Sequence, residues 1–299
     1  MVSMSGLART ATENELLRRI AFPTYRAYAR AMIFYPGPRV LATSMPKAGT
    51  HLLSSLLKNF PRMMFSGRHY AMRNFRIRSS GSSDGGAIEF DWDKIERRLG
   101  AVNKGQFLTA HFPPHPELMG ILCKLDFKVV NIIRDPRDVV VSSAHYLAHL
   151  DRHFLHDRMT NEFSSASTRI TAVITGLPPD ESGRGLPSVS QRIARYRQWL
   201  VQEDTYNCRF ERLVGARGGG SDKDQLNDIE AIGRHIGRPL IAEAAAALAR
   251  KTWSAKSSTF RKGVIGDWRN HFTEEHKSIF KELAGQQLIE LGYERDLKW

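Results

Sequence analysis

The sequence predicts an α/β fold: a central parallel sheet flanked by helices, with a P-loop-like turn close to its first strand. Three observations carry that expectation. Short apolar runs alternate with helix-period patterns along the 299 residues, the order that builds a parallel sheet. LDFKVVNIIRDP (125–136) is apolar through its centre, as a strand covered on both faces must be. VLATSMPKAGTHLLSSLL (40–57) reads as a strand, a glycine-bearing turn and a helix N-terminus. No composition shift or repeat of about 20 to 50 residues divides the chain, so residues 1–299 are expected to form a single domain.

The elements follow in order. Arginines spaced among Leu, Ile and Tyr over 9–35 predict an amphipathic helix within an N-terminal extension, residues 1–38. A solvated helix face is the favoured reading of that pattern, with peripheral membrane contact as the alternative. Residues 39–44 form the first strand, and Leu52, Leu53, Leu56, Leu57 and Phe60 recur at helical spacing behind it. GQFLTAHF (105–112) is the second strand, and the run at 125–136 is the third. RDVVVSSAHYLAHL (137–150) begins a helix after Pro136. SVSQRIARYRQWL (188–200) is a helix capped by Ser190, with Ile193, Tyr196 and Leu200 on one stripe. YNCRFERL (206–213) is a further strand. DQLNDIEAIGRHIG, IAEAAAALARKT and TEEHKSIFKELAGQQLIELG supply three more helices, the last bounded by Thr273 and Gly292. SSGSSDGG (79–86), GLPPDESGRGLPS (176–188) and GARGGGSDKD (215–224) read as loops.

Apolar and charged fractions of 41% and 25% are ordinary, but a net charge of +13 is not. Such a field favours an anionic ligand, nucleic acid or an acidic surface. Cys123 and Cys208 stand far apart with no CxxC, so both are expected as small buried groups rather than a disulfide or zinc ligands. No carboxylate or histidine cluster has metal-ligand spacing, and no metal is expected. The chain lacks a run of about 20 apolar residues and the apolar core of a signal peptide, which predicts a soluble, cytoplasmic protein.

The turn at 45–52 offers anion chemistry. A strand running into a helix N-terminus presents unpaired N–H groups and the positive end of the helix dipole. Gly49 lets the backbone approach an anion, and Lys47 and Thr50 add a charge and a hydroxyl. In the nucleoside-triphosphate loop GxxxxGK[ST] the lysine follows the second glycine and precedes a magnesium-binding hydroxyl. Here Lys47 stands two residues before the only glycine of the turn, and the strand at 125–136 ends in Arg134 rather than a carboxylate. A nucleotide-dependent kinase or hydrolase is therefore the weaker reading. A non-enzymatic anion or nucleic-acid binder is the other alternative, carried by RMMFSGRHYAMRNFRIR (62–78), with five arginines, no acid and interleaved aromatics.

Three segments together favour a different reading. SMPKAGTHLL, VVNIIRDPRDVVVSSAHY and TFRKGVIGDWRNHFT (259–273) resemble, in this order, the 5′-phosphosulfate loop, the 3′-phosphate segment and the carboxy-terminal signature of the sulfotransferases that use 3′-phosphoadenosine 5′-phosphosulfate (PAPS). The chain thus resembles a cytosolic-type member of that family. The resemblance implies sulfuryl transfer from PAPS, as co-substrate and without a metal, to a hydroxyl or amine. It implies catalytic roles for Lys47, beside the departing phosphate oxygen, and for His111, the base closing GQFLTAH before Phe112-Pro113. His115, four residues on, is the weaker rival. Lys47, Ala48, Gly49, Thr50, His51 and Leu52 are implied to hold the 5′-phosphate end, and Arg134, Ser142, Arg261, Lys262 and Gly263 the 3′-phosphate.

The chain departs from the family pattern at three places. Leu52 stands where an adenine-stacking Trp is common, Phe210 where a Tyr is common, and Thr109 where many cytosolic members carry Lys. Trp253 is assigned to the other adenine-stacking position. Gly266, Asp267 and Trp268 are expected to be structural; Arg137 and Asp138 are left out of the site, a surface pair being one reading of them. Residues 62–104 and 147–190 fall outside the shared motifs and are expected on the acceptor side, with Arg73 and Arg76 meeting a glycan or an anionic lipid head group. No nucleic-acid partner is expected. Acceptor identity and oligomeric state are not readable from the sequence.

Overall fold

The computed structural model describes residues 15–31, 37–77, 89–252 and 263–299. In chain order the elements are α1 (Glu15–Ala31), β1 (Arg39–Ser44), α2 (Thr50–Asn59), β2 (Met64–Ala71), α3 (Trp92–Gly100), β3 (Gln106–His111), α4 (Pro116–Lys124) and β4 (Phe127–Ile133). They continue with α5 (Pro136–His149), α6 (His156–Asn161), α7 (Ala166–Thr175), α8 (Val189–Tyr196), β5 (Thr205–Arg209), α9 (Phe210–Leu213), α10 (Asp222–His235), α11 (Ala242–Thr252) and α12 (Glu274–Glu290). The expected fold class holds: five strands form a wholly parallel sheet in the order β2-β3-β1-β4-β5.

Alternation along the central strands sorts the core onto two faces. Val40 and Ala42 of β1 join Phe107, Val130, Ile132 and Cys208 beneath Leu53, Leu56 and Leu57 of α2 and Ile229 and Ile232 of α10. Leu41 turns the other way, with Leu108, Ala110 and Val129, onto Ile95 and Leu99 of α3 and Leu118 and Leu122 of α4. Each fully buried side chain of this size contributes about 1.5–3 kcal/mol. A further helical layer centres on α5, whose Val140, Val141, Ala144 and Leu147 pack with α6, α7, α8 and α12.

Strand order explains where a ligand would go. β1 lies between β3 and β4, so the chain leaves β1 toward one side of the sheet and later crosses to the other. That reversal opens a crevice at the carboxyl ends of the strands. Register keeps those ends level: Ser44 pairs with Ile132, Ala71 with His111, and Ile133 with Arg209.

Several elements differ from the sequence expectation. Met64–Ala71, part of the basic 62–78 segment, is an edge strand, with a register shift against β3 between Phe65 and His69. Its outer edge is covered by α1, where the Tyr25 hydroxyl donates to Phe65 O at 2.9 Å and Arg26 Nε to Gly67 O at 3.0 Å. This protects an otherwise open row of backbone groups, and it buries Arg68 rather than leaving a solvated basic stripe. Of the 9–35 helix, residues 9–14 and 32–35 lie outside the described residues. The cap of α8 is Ser188, whose hydroxyl accepts from Gln191 N, and not Ser190. Leu200 is exposed while Trp199 takes the buried place, because the helix tightens to a 3-10 turn at Arg197–Val201.

Phe210 opens a helical turn instead of extending a strand. Cys208 is buried as expected, but Cys123 is exposed. The loop at 215–224 is shorter than expected, since α10 starts at Asp222. Helices α3, α4, α6 and α7 were not anticipated. The caps of α12 match expectation: Thr273 accepts from His276 N, and Gly292 follows the last turn at φ 71°. Among the described residues no helix is long and apolar enough to cross a membrane.

Candidate functional site

Several of the side chains singled out in the sequence come from different strands but gather at one end of the sheet. β1 runs into the 45–49 turn, β3 ends at His111, β4 is followed by Arg134, and β5 is followed by Phe210. The turn after β1 is conformationally unusual. Lys47 adopts φ 71° and Gly49 φ 115°. A left-handed lysine is uncommon outside tight or functional turns. Gly49 is required by space as well: a Cβ there would lie 2.9 Å from Phe210 Cδ2 and 3.0 Å from Ile132 Cδ1.

Helix α2 starts directly behind this turn without a side-chain cap and without an acid in its first turn. Its leading N–H groups therefore remain available to an anion. Thr50 and Ser44 are buried with their hydroxyl oxygens 2.5 Å apart, tying the helix start to the strand end. Ala48 is buried in the turn, His51 is exposed in the first helical turn, and Leu52 packs half-buried against the core. The Lys47 ammonium lies 4.1 Å from the centre of the Tyr146 ring.

His111 is held from several directions. Its Nδ1 lies 3.0 Å from Ser44 O. A carbonyl only accepts, so Nδ1 carries the proton and Nε2 keeps its lone pair. The Tyr196 hydroxyl donates to His111 O at 3.3 Å, and Trp199 Nε1 to Phe112 O at 2.8 Å. The His69 ring, on β2, meets the His111 ring edge-on at 4.8 Å, while His69 Nδ1 lies 2.9 Å from Thr109 Oγ1. Burial first, then the His69 ring, pushes the His111 imidazole down to about 3, against the raising effect of the Ser44 bond. Thr109 therefore serves as partner to a second histidine that sequence reasoning did not single out. Assigning MFSGRHYA as a strand would have placed His69 beside Thr109.

Arg134 is 8% exposed and lies 4.2 Å from the Phe210 ring centre. Its Nη2 donates to Val264 O at 2.9 Å and approaches Asp138 Oδ2 at 3.4 Å, while its buried Nε has no hydrogen-bond partner among the described residues. Ser142 lies half-buried on the second turn of α5. Arg137 and Asp138 are not a surface pair. Arg137 is 2% exposed, bonded to Asp135 and Glu294 and packed against the rings of Trp268 and Trp299. Asp138, 1% exposed, accepts from the backbone N–H of Gly266 and Trp268, both at 2.9 Å.

The 264–268 segment is thereby stitched to the β4–α5 corner. Gly263, at φ 65°, sits where the chain enters that segment, and Ile265 N donates to Gly218 O at 3.0 Å. Trp253, Arg261 and Lys262 lie outside the described residues. His115 stands apart from this arrangement, stacked on Trp92 at 4.7 Å and paired with Glu117. Among the described residues, no group of three or more His, Cys, Asp or Glu is placed to hold a metal ion.

Known proteins share this architecture. The mouse sulfotransferase SULT7A1 complexed with PAP matches with a TM-score of 0.59 at 18% identity, covering 90% of this chain and 92% of that one. Retinol dehydratase in a complex with retinol and PAP matches at 0.53 and 17% identity, covering 90% and 86%. The same enzyme with androsterone and the inactive cofactor PAP matches at 0.52 and 17%, covering 88% and 85%. No curated protein matches the sequence closely. The sulfotransferase domain matches residues 37–176 and 242–292, which take in the turn, His111 and the β4–α5 corner, and the chain belongs to that family.

Proposed function

We propose that this protein transfers a sulfuryl group from PAPS to a hydroxyl, or an amine, of an acceptor. The observation that carries the reading is the convergence of Lys47, the uncapped start of α2, His111 and Arg134 on the carboxyl ends of neighbouring strands. The residues present fit a bisphosphorylated nucleotide. α2 leaves N–H donors without a capping side chain, and Arg134 keeps a buried Nε without a protein partner. Three structures of similar fold hold PAP.

Lys47 and the N–H groups of Gly49, Thr50, His51 and Leu52 would hold the 5′-phosphate end. Arg134, Ser142 and the 261–263 segment would hold the 3′-phosphate, with Phe210 beneath Arg134. When bound, PAPS supplies an activated sulfuryl group, whose S–O bond to phosphate breaks as a new S–O bond forms to the acceptor oxygen. His111 Nε2 takes the acceptor proton, because its Nδ1–H is committed to Ser44 O. Lys47 places a cation where charge develops on the departing oxygen, an interaction stronger in the transition state than in the ground state. The ring of Tyr146 fixes the ammonium in position.

The test is transfer of labelled sulfate from PAPS across a panel of phenols, sugars and alcohols. Lys47→Ala is expected to lower turnover by about 10²–10³-fold or more while circular dichroism stays native. Full turnover in that variant would remove Lys47 from its role. Calorimetry with PAP that showed no binding to the unmodified protein would remove the donor assignment altogether.

A further inference from the structure

Resting on the sulfotransferase reading, a second feature bears on the acceptor. A continuous rim of aromatic and basic side chains borders the site. Lys47 lies over Tyr146, Tyr146 meets the His153 ring at 5.6 Å, and His153 meets Phe154 at 4.5 Å. The Phe154 ring in turn carries the Arg73 guanidinium at 4.9 Å. Arg73 comes from the turn Met72–Phe75 directly after β2, the strand whose Ala71 pairs with His111. The two segments outside the shared motifs, one following β2 and one following α5, thus meet at the mouth above His111.

Arg73 is exposed, and among the described residues no carboxylate pairs with it. Its own segment, 62–78, contains no acid. Burial is the main influence on the titration of His69, His111, Tyr146, His153 and Tyr196; Arg73 adds a smaller effect on all five, and the other side chains acting on them are basic. A guanidinium seated over an aromatic ring can still offer its planar fork of N–H donors to an oxyanion by two parallel hydrogen bonds. An exposed arginine serving only solubility would not need an aromatic platform beside the reacting centre.

We infer that the acceptor carries an oxyanion, a carboxylate, phosphate or sulfate, near its reacting hydroxyl, and that Arg73 is the residue that selects it. The anion would lie across the mouth from Lys47, so that the rim holds donor and acceptor charges apart on separate cations.

The experiment uses two matched pairs: 4-ethylphenol against 4-hydroxyphenylacetate, and a methyl glucoside against the corresponding methyl glucuronide. For each, kcat/KM is measured with labelled PAPS, and binding is measured by calorimetry on protein saturated with PAP. The anionic member of at least one pair is expected to bind and react about tenfold better or more, the range of one charge-assisted hydrogen-bonded contact. Arg73→Met is expected to bring that pair to parity through KM, while PAP binding shows the variant to be folded. Arg234→Met, the same charge change on α10, is expected to keep the preference.

Parity or a neutral preference in both pairs overturns the inference, as does a preference that survives Arg73→Met. Absence of binding by every member counts against it in the same way. In those cases PAP binding leaves the sulfotransferase reading standing. Failure of PAP itself to bind overturns both.

Discussion

At the scale of single residues, His111 shows how burial and one hydrogen bond set chemistry. The Ser44 carbonyl fixes the tautomer, while burial and the His69 ring hold the imidazole near 3, far below the ordinary value of about 6.5. The ring is therefore neutral, with Nε2 free to accept, across the whole physiological range. If His111 is the base, the acid limb of kcat/KM in the free enzyme falls well below pH 6.5, and a limb at or above that value would exclude it. Stability moves with the same sign. The unfolded histidine binds a proton below about pH 6.5 and the folded one does not, so stability is complete above that pH. It declines as pH falls toward the folded value, with a slope of up to about 1.4 kcal/mol per pH unit. His111→Gln is expected to flatten urea-denaturation stability between pH 6 and pH 4; an unchanged slope would assign the acid sensitivity elsewhere. The identity of His111 as a candidate was legible from GQFLTAHFP, but its depressed titration was not. That depends on His69, which arrives beside it from β2 through strand pairing that crosses some forty residues of chain.

At the scale of elements, the corner between β4 and α5 depends on one carboxylate. Asp138 lies in the first turn of α5 and accepts two backbone N–H groups from the 266–268 segment, 128 and 130 residues later. Arg134, four residues before it, completes the stitch through Val264 O. Burial raises the Asp138 carboxyl above the usual range, with Arg134 and the two backbone donors opposing that rise. Asp138→Ala would leave two buried N–H donors and a buried guanidinium short of an acceptor, a loss of about 3 kcal/mol. Urea denaturation measures it, and PAP affinity is expected to fall with it, because the 263–268 segment would no longer be tethered beside Arg134. A loss below about 1 kcal/mol would show that the segment is held by packing instead.

The helix boundary at Pro136 was readable from the sequence; the structure adds that Pro136 is itself the first helical residue and that Asp135 caps it. The partner of Asp138 was not readable, because a long-range bond to backbone N–H leaves no side-chain signature. β2 escaped for a related reason. Gly67 and the interleaved arginines interrupt its alternation, and its strand character comes from pairing with β3 and cover from α1. The central strands needed no such help, since Val40, Leu41 and Ala42 and then Val129, Val130 and Ile132 supply buried apolar side chains to both faces.

At the scale of the whole molecule, charge and topology act together. The sheet order places the candidate residues at the carboxyl ends of adjacent strands, a disposition that the alternation of strands and helices implies but does not locate. What the alternation could not reveal is which side of the sheet each later strand would join, and hence that β2 brings His69 and Arg73 to the mouth. The net charge of +13 is spread over the chain, yet acids are absent from the first turn of α2 and from the Arg73 segment. A positive field focused on a crevice raises both the rate and the affinity for an anion. PAP should therefore bind more weakly as salt rises from about 0.1 M to about 1 M, where the screening length shrinks from about 10 Å to about 3 Å. Adenosine, which lacks both phosphates, provides the internal comparison: its weaker binding should change little over the same range. Two charge substitutions then divide the effect. Arg234→Gln on α10 removes one unit of net charge without touching the crevice and should leave most of the salt slope in place. Lys47→Gln removes the same unit at the turn and should reduce the slope and the affinity together. Equal salt slopes for PAP and adenosine would mean that the excess charge serves the protein surface at large, and that the crevice holds nucleotides by contacts other than those to phosphate.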